Sequence, residues 1–169
     1  MKKYTLISAL SVAIAFSSCK KDFLQQTNEA ILKIARETEN IGVILGAPTK
    51  NKSLFGKNLF NSALYIYKGK IQHTSNKTLL PTYDIFDEYR YFEPNKEFKC
   101  FEHQGKKIAL VICEDSWDND DDPLYTINPL DELIKEAPQL IINISASPFS
   151  YSHSNSRKKM LEWNTARYG

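Results

Sequence analysis

The sequence has few cysteines, a small net charge and no recognisable metal-binding pattern. Each of these features argues against a class of protein. The three cysteines are odd in number and widely spaced, which argues against a disulfide framework and against a CxxC-type zinc site. A net charge of +2 over 169 residues is too small to indicate a nucleic-acid-binding surface. With 42% hydrophobic and 25% charged residues, the composition fits one globular domain that can bury a core.

Patterns for metal binding are missing as well. The acidic run D-N-D-D-D at residues 118–122 lacks the alternating ligands and the glycine of a calcium loop, so we expect a solvated loop there. His73, His103 and His153 are scattered along the chain and give little support to a Cys-His protease. We therefore expect no metal site.

The N-terminus has the pattern of a secretory signal. Met1 and two lysines precede the mostly apolar and small residues 4–16, and S-S-C follows, ending at Cys19 as in bacterial lipoproteins. The apolar stretch is too short for a stable transmembrane helix. We divide the chain into a signal-like segment, residues 1–20, and a domain, residues 21–169. The alternative is that the first residues form a strand or helix of the domain.

Apolar and amphipathic segments alternate through the rest of the chain. Apolar residues at helical spacing predict a helix from Asp22, its N-cap, to residues 40–42. Bounded apolar runs predict buried strands, and this alternation of strands with helices implies an α/β domain. The other predicted elements are strands at 42–47 and 139–144, hairpins at 58–77 and 98–112, helices at 128–136 and 154–168, and a long connection at 81–97.

One of these strands ends on a cysteine. Residues 108–117 read I-A-L-V-I-C-E-D-S-W, so Cys113 lies where a buried strand leaves the sheet, and α/β proteins place their chemistry there. A core cysteine would give the same local pattern. Cys113 is thus a candidate nucleophile, and a second segment favours that interpretation.

The second segment, residues 76–92, reads N-K-T-L-L-P-T-Y-D-I-F-D-E-Y-R-Y-F. It resembles the lysine region of the nitrilase (carbon-nitrogen hydrolase) superfamily, and within it the glutaminase domain of glutamine-dependent NAD synthetases. There the pattern is K-x-x-L-P-x-Y-x-x-F-D-E-x-R-Y-F, and a cysteine follows in a C-E-D-x-W context. Both patterns occur here in that order, with Cys113 lying 36 residues after Lys77. The resemblance covers roughly residues 21–169.

The resemblance implies a fold, an activity and partners. The fold is a nitrilase-like four-layer α-β-β-α sandwich, expected to be incomplete because the family's first strand and helix have no counterpart before Asp22 and the end of the domain would follow Gly169. The activity is release of ammonia from glutamine for the amidation of deamido-NAD. No cofactor is expected in this domain, since ATP and Mg²⁺ would belong to a synthetase domain that this sequence does not contain. The family implies a homo-oligomer in the cytoplasm, whereas the signal-like segment implies an exported lipoprotein.

Three residues match catalytic positions of the resembled family. Cys113 would be the nucleophile, and an ordinary thiol needs a nearby cation or base for that role. Lys77 would supply the cation and help to stabilise the tetrahedral intermediate. Glu88 would hold the Lys77 ammonium by a charge-assisted hydrogen bond.

Five further residues are candidate substrate contacts, four of them by match to the resembled family and Glu114 because it directly follows Cys113. Tyr83 and Phe86 match rings that line the glutamine pocket. The backbone N–H of Glu114 is a candidate donor to the oxyanion. Ser145 and Ser147 match the loop that holds the amino-acid end of the substrate.

One catalytic part of the family pattern has no counterpart. The family's general base is a glutamate in a P-E-L type segment, and no residue before Asp22 is acidic. We therefore expect this chain alone to be inactive or a poor glutaminase. Two alternatives stay open. One is a nitrilase-like amidase of another specificity, against which the run at residues 86–92 argues. The other is a non-catalytic exported lipoprotein of nitrilase fold, which the signal-like segment and the missing base favour.

Overall fold

The computed structural model describes residues 22–117, 125–147 and 153–169. The predicted signal-like segment, residues 1–20, and the acidic run 118–122 lie outside these ranges. No helix within them is long and apolar enough to cross a membrane. The elements in chain order are α1 (Phe23–Arg36), β1 (Val43–Lys50), β2 (Leu59–Tyr67), β3 (Lys70–Asn76), a 3-10 turn (Glu88–Arg90), β4 (Phe101–His103), β5 (Lys106–Ile112), a 3-10 turn (Cys113–Ser116), α2 (Pro129–Leu133) with a following 3-10 turn (Ile134–Glu136), β6 (Leu140–Ile144) and α3 (His153–Tyr168).

The described strands form two three-stranded sheets. In the first sheet β1, β2 and β3 are antiparallel, and in the second β5 pairs antiparallel with β4 and parallel with β6. Both predicted hairpins are confirmed. The φ angles are 51° at Lys68 and 73° at Gly69 in one turn, and 50° at Gln104 and 74° at Gly105 in the other. Two-residue hairpin turns require such positive angles, and glycine adopts them without strain.

Alternation of side chains along the central strands builds the core between the sheets. Ala63 and Tyr65 of β2 face the second sheet, where they pack with Ile108, Leu110 and Ile112 of β5. Successive side chains on a strand point to opposite faces, so every second residue of β2 and β5 is directed into this core. Burial of each large aliphatic side chain there stabilises the fold by about 1.5–3 kcal/mol.

The intervening residues of β2 and β5 point outward, and each outer face is covered by a helix. The first sheet is covered by α1 and the second by α2. The layers are therefore α1, first sheet, second sheet and α2, which is the predicted α-β-β-α order. The contacts are Ile31 and Ala35 with Leu64 and Ile66 on one side, and Leu130 and Leu133 with Ala109 and Val111 on the other.

The predicted end of the first helix is wrong. Helix α1 ends at Arg36 rather than at residues 40–42, because both the N–H and the hydroxyl of Thr38 donate to the carbonyl of Ala35, at 3.0 and 2.7 Å. Such bonds tighten the last turn and compete with continuation of the helix. Asp22 occupies the N-cap position as predicted, but its side chain makes no capping hydrogen bond.

Two strand predictions also need correction. The strand predicted to begin at residue 98 begins at Phe101 and has three residues. The strand predicted as buried at 139–144 forms as β6, but Leu140 is 50% exposed and Ile141 is 36% exposed. The reason is its place at the end of the described strand order, where β5 pairs with it on one side.

Candidate active site

Lys77 follows β3 directly and is almost fully buried, with 1% of its side chain exposed. Its Nζ donates to Oε1 of Glu88 at 2.6 Å, and Nδ2 of Asn61 donates to the other oxygen of the same carboxylate at 3.2 Å. The backbone is held too. The Lys77 N–H donates to the Asn61 carbonyl at 2.8 Å, and the Lys77 carbonyl accepts from Asn95 at 3.0 Å. Burying a charged side chain is costly unless it is paired, and Glu88 supplies the partner of Lys77.

Cys113 is the first residue after β5 and has a left-handed backbone, with φ of 49°. Non-glycine residues seldom adopt this region, and where they do, surrounding contacts hold the strain, frequently at functional sites. Here Oδ1 of Asn143 in β6 accepts from the Cys113 N–H at 2.7 Å, and its Nδ2 donates to the Cys113 carbonyl at 3.2 Å. The thiol is half-buried, and its Sγ lies 3.7 Å from Oγ of Ser147.

Asp115 connects the residues that follow Lys77 with the 3-10 turn that begins at Cys113, called here the cysteine turn. Its Oδ1 accepts the N–H groups of Thr78 and Leu79 at 3.0 and 2.8 Å, and its Oδ2 accepts the N–H of Ile112 at 3.1 Å. Burial raises the pKa of Asp115 to about 7, and the three N–H donors together with the charge of Lys77 oppose that rise. The residues next to Lys77 and Cys113 in sequence are thus bound by one carboxylate.

Aromatic side chains lie beside the cysteine turn. The rings of Tyr83 and Phe86 meet edge to face, with their centroids 5.9 Å apart. Oε1 of Glu114 accepts from the Tyr83 hydroxyl at 2.6 Å and from the Tyr125 hydroxyl at 3.2 Å. Burial, and then the Glu114 carboxylate, raise the pKa of Tyr83, so its hydroxyl stays protonated and keeps the bond. The Glu114 side chain therefore attaches Tyr83, one of the two predicted pocket rings, to the turn that bears Cys113, and Phe86 contacts the Tyr83 ring.

The structure brings most of the predicted site residues into contact in groups. Glu88 lies against Lys77 as predicted. Ser147 reaches the thiol of Cys113, whereas Ser145 is exposed. The catalytic and substrate-binding roles assigned to these residues stay predictions.

Three functionally placed residues were missed from the sequence. Asp115 lies in the C-E-D-S turn, and an acid two residues after a candidate nucleophile was a usable signal. Asn143 is a polar residue within the apolar run L-I-I-N-I, and a buried polar group needs a partner. Asn61 gave no signal, because nothing in its sequence context distinguishes it from an ordinary polar residue near the start of a strand.

Among the residues that the structure describes, neither a group of metal ligands nor the cavity reported below marks the site. Within the described ranges no group of three or more His, Cys, Asp or Glu side chains is placed to hold a metal ion. A cavity of about 950 Å³ is lined by residues of both sheets and of the connection at 93–99. Its described lining includes Thr78 and Asp115 but not Cys113 or Glu88, so it touches the candidate site only at its edge.

Solved structures share the fold of this chain. The chain superposes on a carbon-nitrogen hydrolase from Helicobacter pylori with a TM-score of 0.59 and 21% identity, over 84% of this chain and 47% of that one. It also superposes on the glutamine-dependent NAD+ synthetase of Acinetobacter baumannii, solved with ADP, with a TM-score of 0.69 and 27% identity, over 82% of this chain and 24% of that one. The chain has the nitrilase-like α/β fold that its sequence predicts.

Comparison with curated sequences identifies the relatives of this chain more specifically than its fold does. The chain is 33% identical over 153 residues to the glutamine-dependent NAD(+) synthetase of Synechocystis sp., covering 86% of this chain and 27% of the relative. It is 30% identical over 148 residues to that of Thermotoga maritima, covering 86% and 24%. No protein-family model matches the chain. The chain is related to glutamine-dependent NAD synthetases, as predicted, and it spans about a quarter of the length of the curated relatives it matches.

Proposed function

We propose that this chain is part of an amidase domain that hydrolyses the side-chain amide of glutamine and supplies ammonia for the amidation of deamido-NAD. The observation that carries the proposal is the buried Lys77–Glu88 pair, which Asp115 joins to the turn that bears Cys113. A fixed cation favours the thiolate and stabilises an oxyanion, which are the two requirements of thiol attack on an amide. The similarity to NAD synthetases supports glutamine as the substrate.

The chemistry assigns one role to each group. The Cys113 sulfur attacks the amide carbon, and the carbonyl electron pair moves onto oxygen, where the Lys77 ammonium and the Glu114 N–H stabilise it. Collapse of this intermediate breaks the C–N bond, the nitrogen leaves as ammonia with the proton that the thiol released, and a thioester remains. Water then cleaves the thioester to glutamate and restores the thiol.

Both steps require a group that accepts and returns a proton. The resembled family uses a glutamate from a P-E-L type segment for this, and no acidic residue precedes Asp22. Glu88 is committed to Lys77 and Asn61, and it would lose its hold on the lysine if it took the proton. The chain by itself is therefore expected to turn over glutamine poorly or not at all.

The proposal extends to partners and location. A synthetase domain would use the ammonia with ATP and Mg²⁺, and we expect no cofactor in this domain. A homo-oligomer in the cytoplasm follows from the resemblance to NAD synthetases. The second candidate, an exported lipoprotein, is favoured by the sequence of residues 1–19, which lie outside the described ranges. Incorporation of labelled fatty acid at Cys19 in cells, lost in Cys19→Ala, would support export, and unlabelled protein would contradict it.

An electrophilic glutamine analogue such as a chloroketone tests the amidase proposal without requiring turnover. Cys113 should be labelled much faster than Cys100, because burial raises the pKa of the Cys100 thiol to about 11. Lys77→Met should slow labelling of Cys113. Equal labelling of the two cysteines would contradict the proposal.

Protection by competing amides tests the specificity. Glutamine should protect Cys113 from the analogue, whereas asparagine and simple aliphatic amides should not. Protection by those amides and not by glutamine would favour the nitrilase-like amidase of another specificity.

A further inference from the structure

Asp115 is a buried carboxylate that none of the chemical steps above uses. It is 2% exposed, and all three of its recorded hydrogen bonds come from backbone N–H groups. Thr78 and Leu79, which donate to Oδ1, directly follow Lys77. Ile112, which donates to Oδ2, directly precedes Cys113.

We propose that Asp115 is a positioning residue, which keeps the Lys77 ammonium and the Cys113 thiol aligned by holding the backbone beside each of them. The inference rests on the proposed function, since alignment matters only if Lys77 and Cys113 act together. Strands β3 and β5 belong to different sheets and share no strand pairing. Their relative position therefore depends on packing between the sheets and on this carboxylate. A displacement of about 1 Å in such a site can lower a rate about 10²-fold.

The carboxylate suits this role because both of its oxygens accept hydrogen bonds. An asparagine has one acceptor oxygen, so Asp115→Asn places an NH₂ group against at least one of the three N–H donors with little change of shape. Asp115→Glu keeps both acceptors but displaces them by one methylene group. The two variants therefore separate loss of an acceptor from loss of fit.

Alkylation of the full 169-residue chain by iodoacetamide tests the proposal. Rates at Cys113 and Cys100 are followed by peptide mass spectrometry from about pH 6 to about pH 9. Cys100 reports general opening of the fold, because its N–H donates to Glu136 at 2.8 Å and its thiol is half-buried. The matched control is Asp131→Asn, since the Asp131 carboxylate also accepts three hydrogen bonds but is 41% exposed.

We expect Asp115→Asn to slow alkylation of Cys113 about tenfold and to move its pH profile upward. The rate at Cys100 should not change, and Asp131→Asn should match the parent chain. An unchanged Cys113 profile in Asp115→Asn overturns the positioning role, and so does faster alkylation at Cys100, which would assign Asp115 to general stability. Lys77→Met separates the two proposals. If Lys77→Met leaves the alkylation rate of Cys113 unchanged, the proposed function fails. If Lys77→Met slows alkylation of Cys113 but Asp115→Asn does not, only the positioning role fails.

Discussion

Removal of one partner of the Lys77–Glu88 pair should be among the most destabilising single changes near the site. Glu88→Gln keeps the shape of the side chain but leaves a lysine that is 1% exposed without its anion, and breaking a buried pair in this way costs about 3–5 kcal/mol. Lys77→Met should cost about 1–3 kcal/mol, because Glu88 is 20% exposed and keeps the bond from Asn61. The double variant should be more stable than Glu88→Gln alone, since no unpaired charge remains.

Urea unfolding of the four proteins gives the free energies of this cycle. The matched control is the Lys135–Glu132 pair, which has the same 2.6 Å separation but side chains that are 63% and 36% exposed. Glu132→Gln should lower the free energy of unfolding by at most about 1 kcal/mol. If Glu88→Gln costs no more than Glu132→Gln, then Lys77 is not held as a buried cation, and the electrostatic basis of the proposed function is wrong.

Three further outcomes are expected. The chain should release ammonia from glutamine about 10²–10⁴-fold more slowly than an enzyme with a positioned acid/base. If turnover instead approaches that of an intact glutaminase and Cys113→Ala abolishes it, another residue serves as the base. Because burial raises the pKa of Asp115 from 3.8 to about 7, the folded chain binds this proton more tightly than the unfolded chain. The stability from this proton is complete below about pH 4 and is lost as the pH rises through about 7. The urea midpoint of the parent chain should therefore fall across that window. The same fall in Asp115→Asn would exclude Asp115 as its source. Asn143→Leu removes the acceptor of the Cys113 N–H and should lower the free energy of unfolding by about 1–3 kcal/mol, and an unchanged urea midpoint would show that this N–H finds another acceptor.

The fold was largely predictable because its signals are local. Glycines at Gly69 and Gly105 mark the two hairpin turns, and apolar runs mark the strands on either side. The end of α1 was not predictable from the sequence, since it depends on the Thr38 hydroxyl, which can bond either to solvent or to a backbone carbonyl. The exposure of Leu140 and Ile141 depends on which strands lie beside β6, and that is a tertiary property.

Contacts between two side chains of the site could be predicted from the sequence, because residue type identifies both partners. Lys77 and Glu88 stand in a run specific enough to predict their contact, and the structure places them at 2.6 Å. The position of Asp115, two residues after Cys113, could mark it as a candidate, but its linking role could not be predicted. Its partners are backbone N–H groups, which every residue except proline carries, so no residue type identifies them.

Asp115 also joins parts of the chain that are far apart in sequence. Its bonds to Thr78 and Leu79 span 37 and 36 residues, whereas the hairpins of both sheets close across two-residue turns. Closing long loops costs entropy before the contacts compensate for it, so each hairpin can form before Asp115 meets its partners. The amides of Thr78 and Leu79 lie outside the strands. Their protection against hydrogen exchange therefore measures docking of the two sheets, separately from the formation of either sheet.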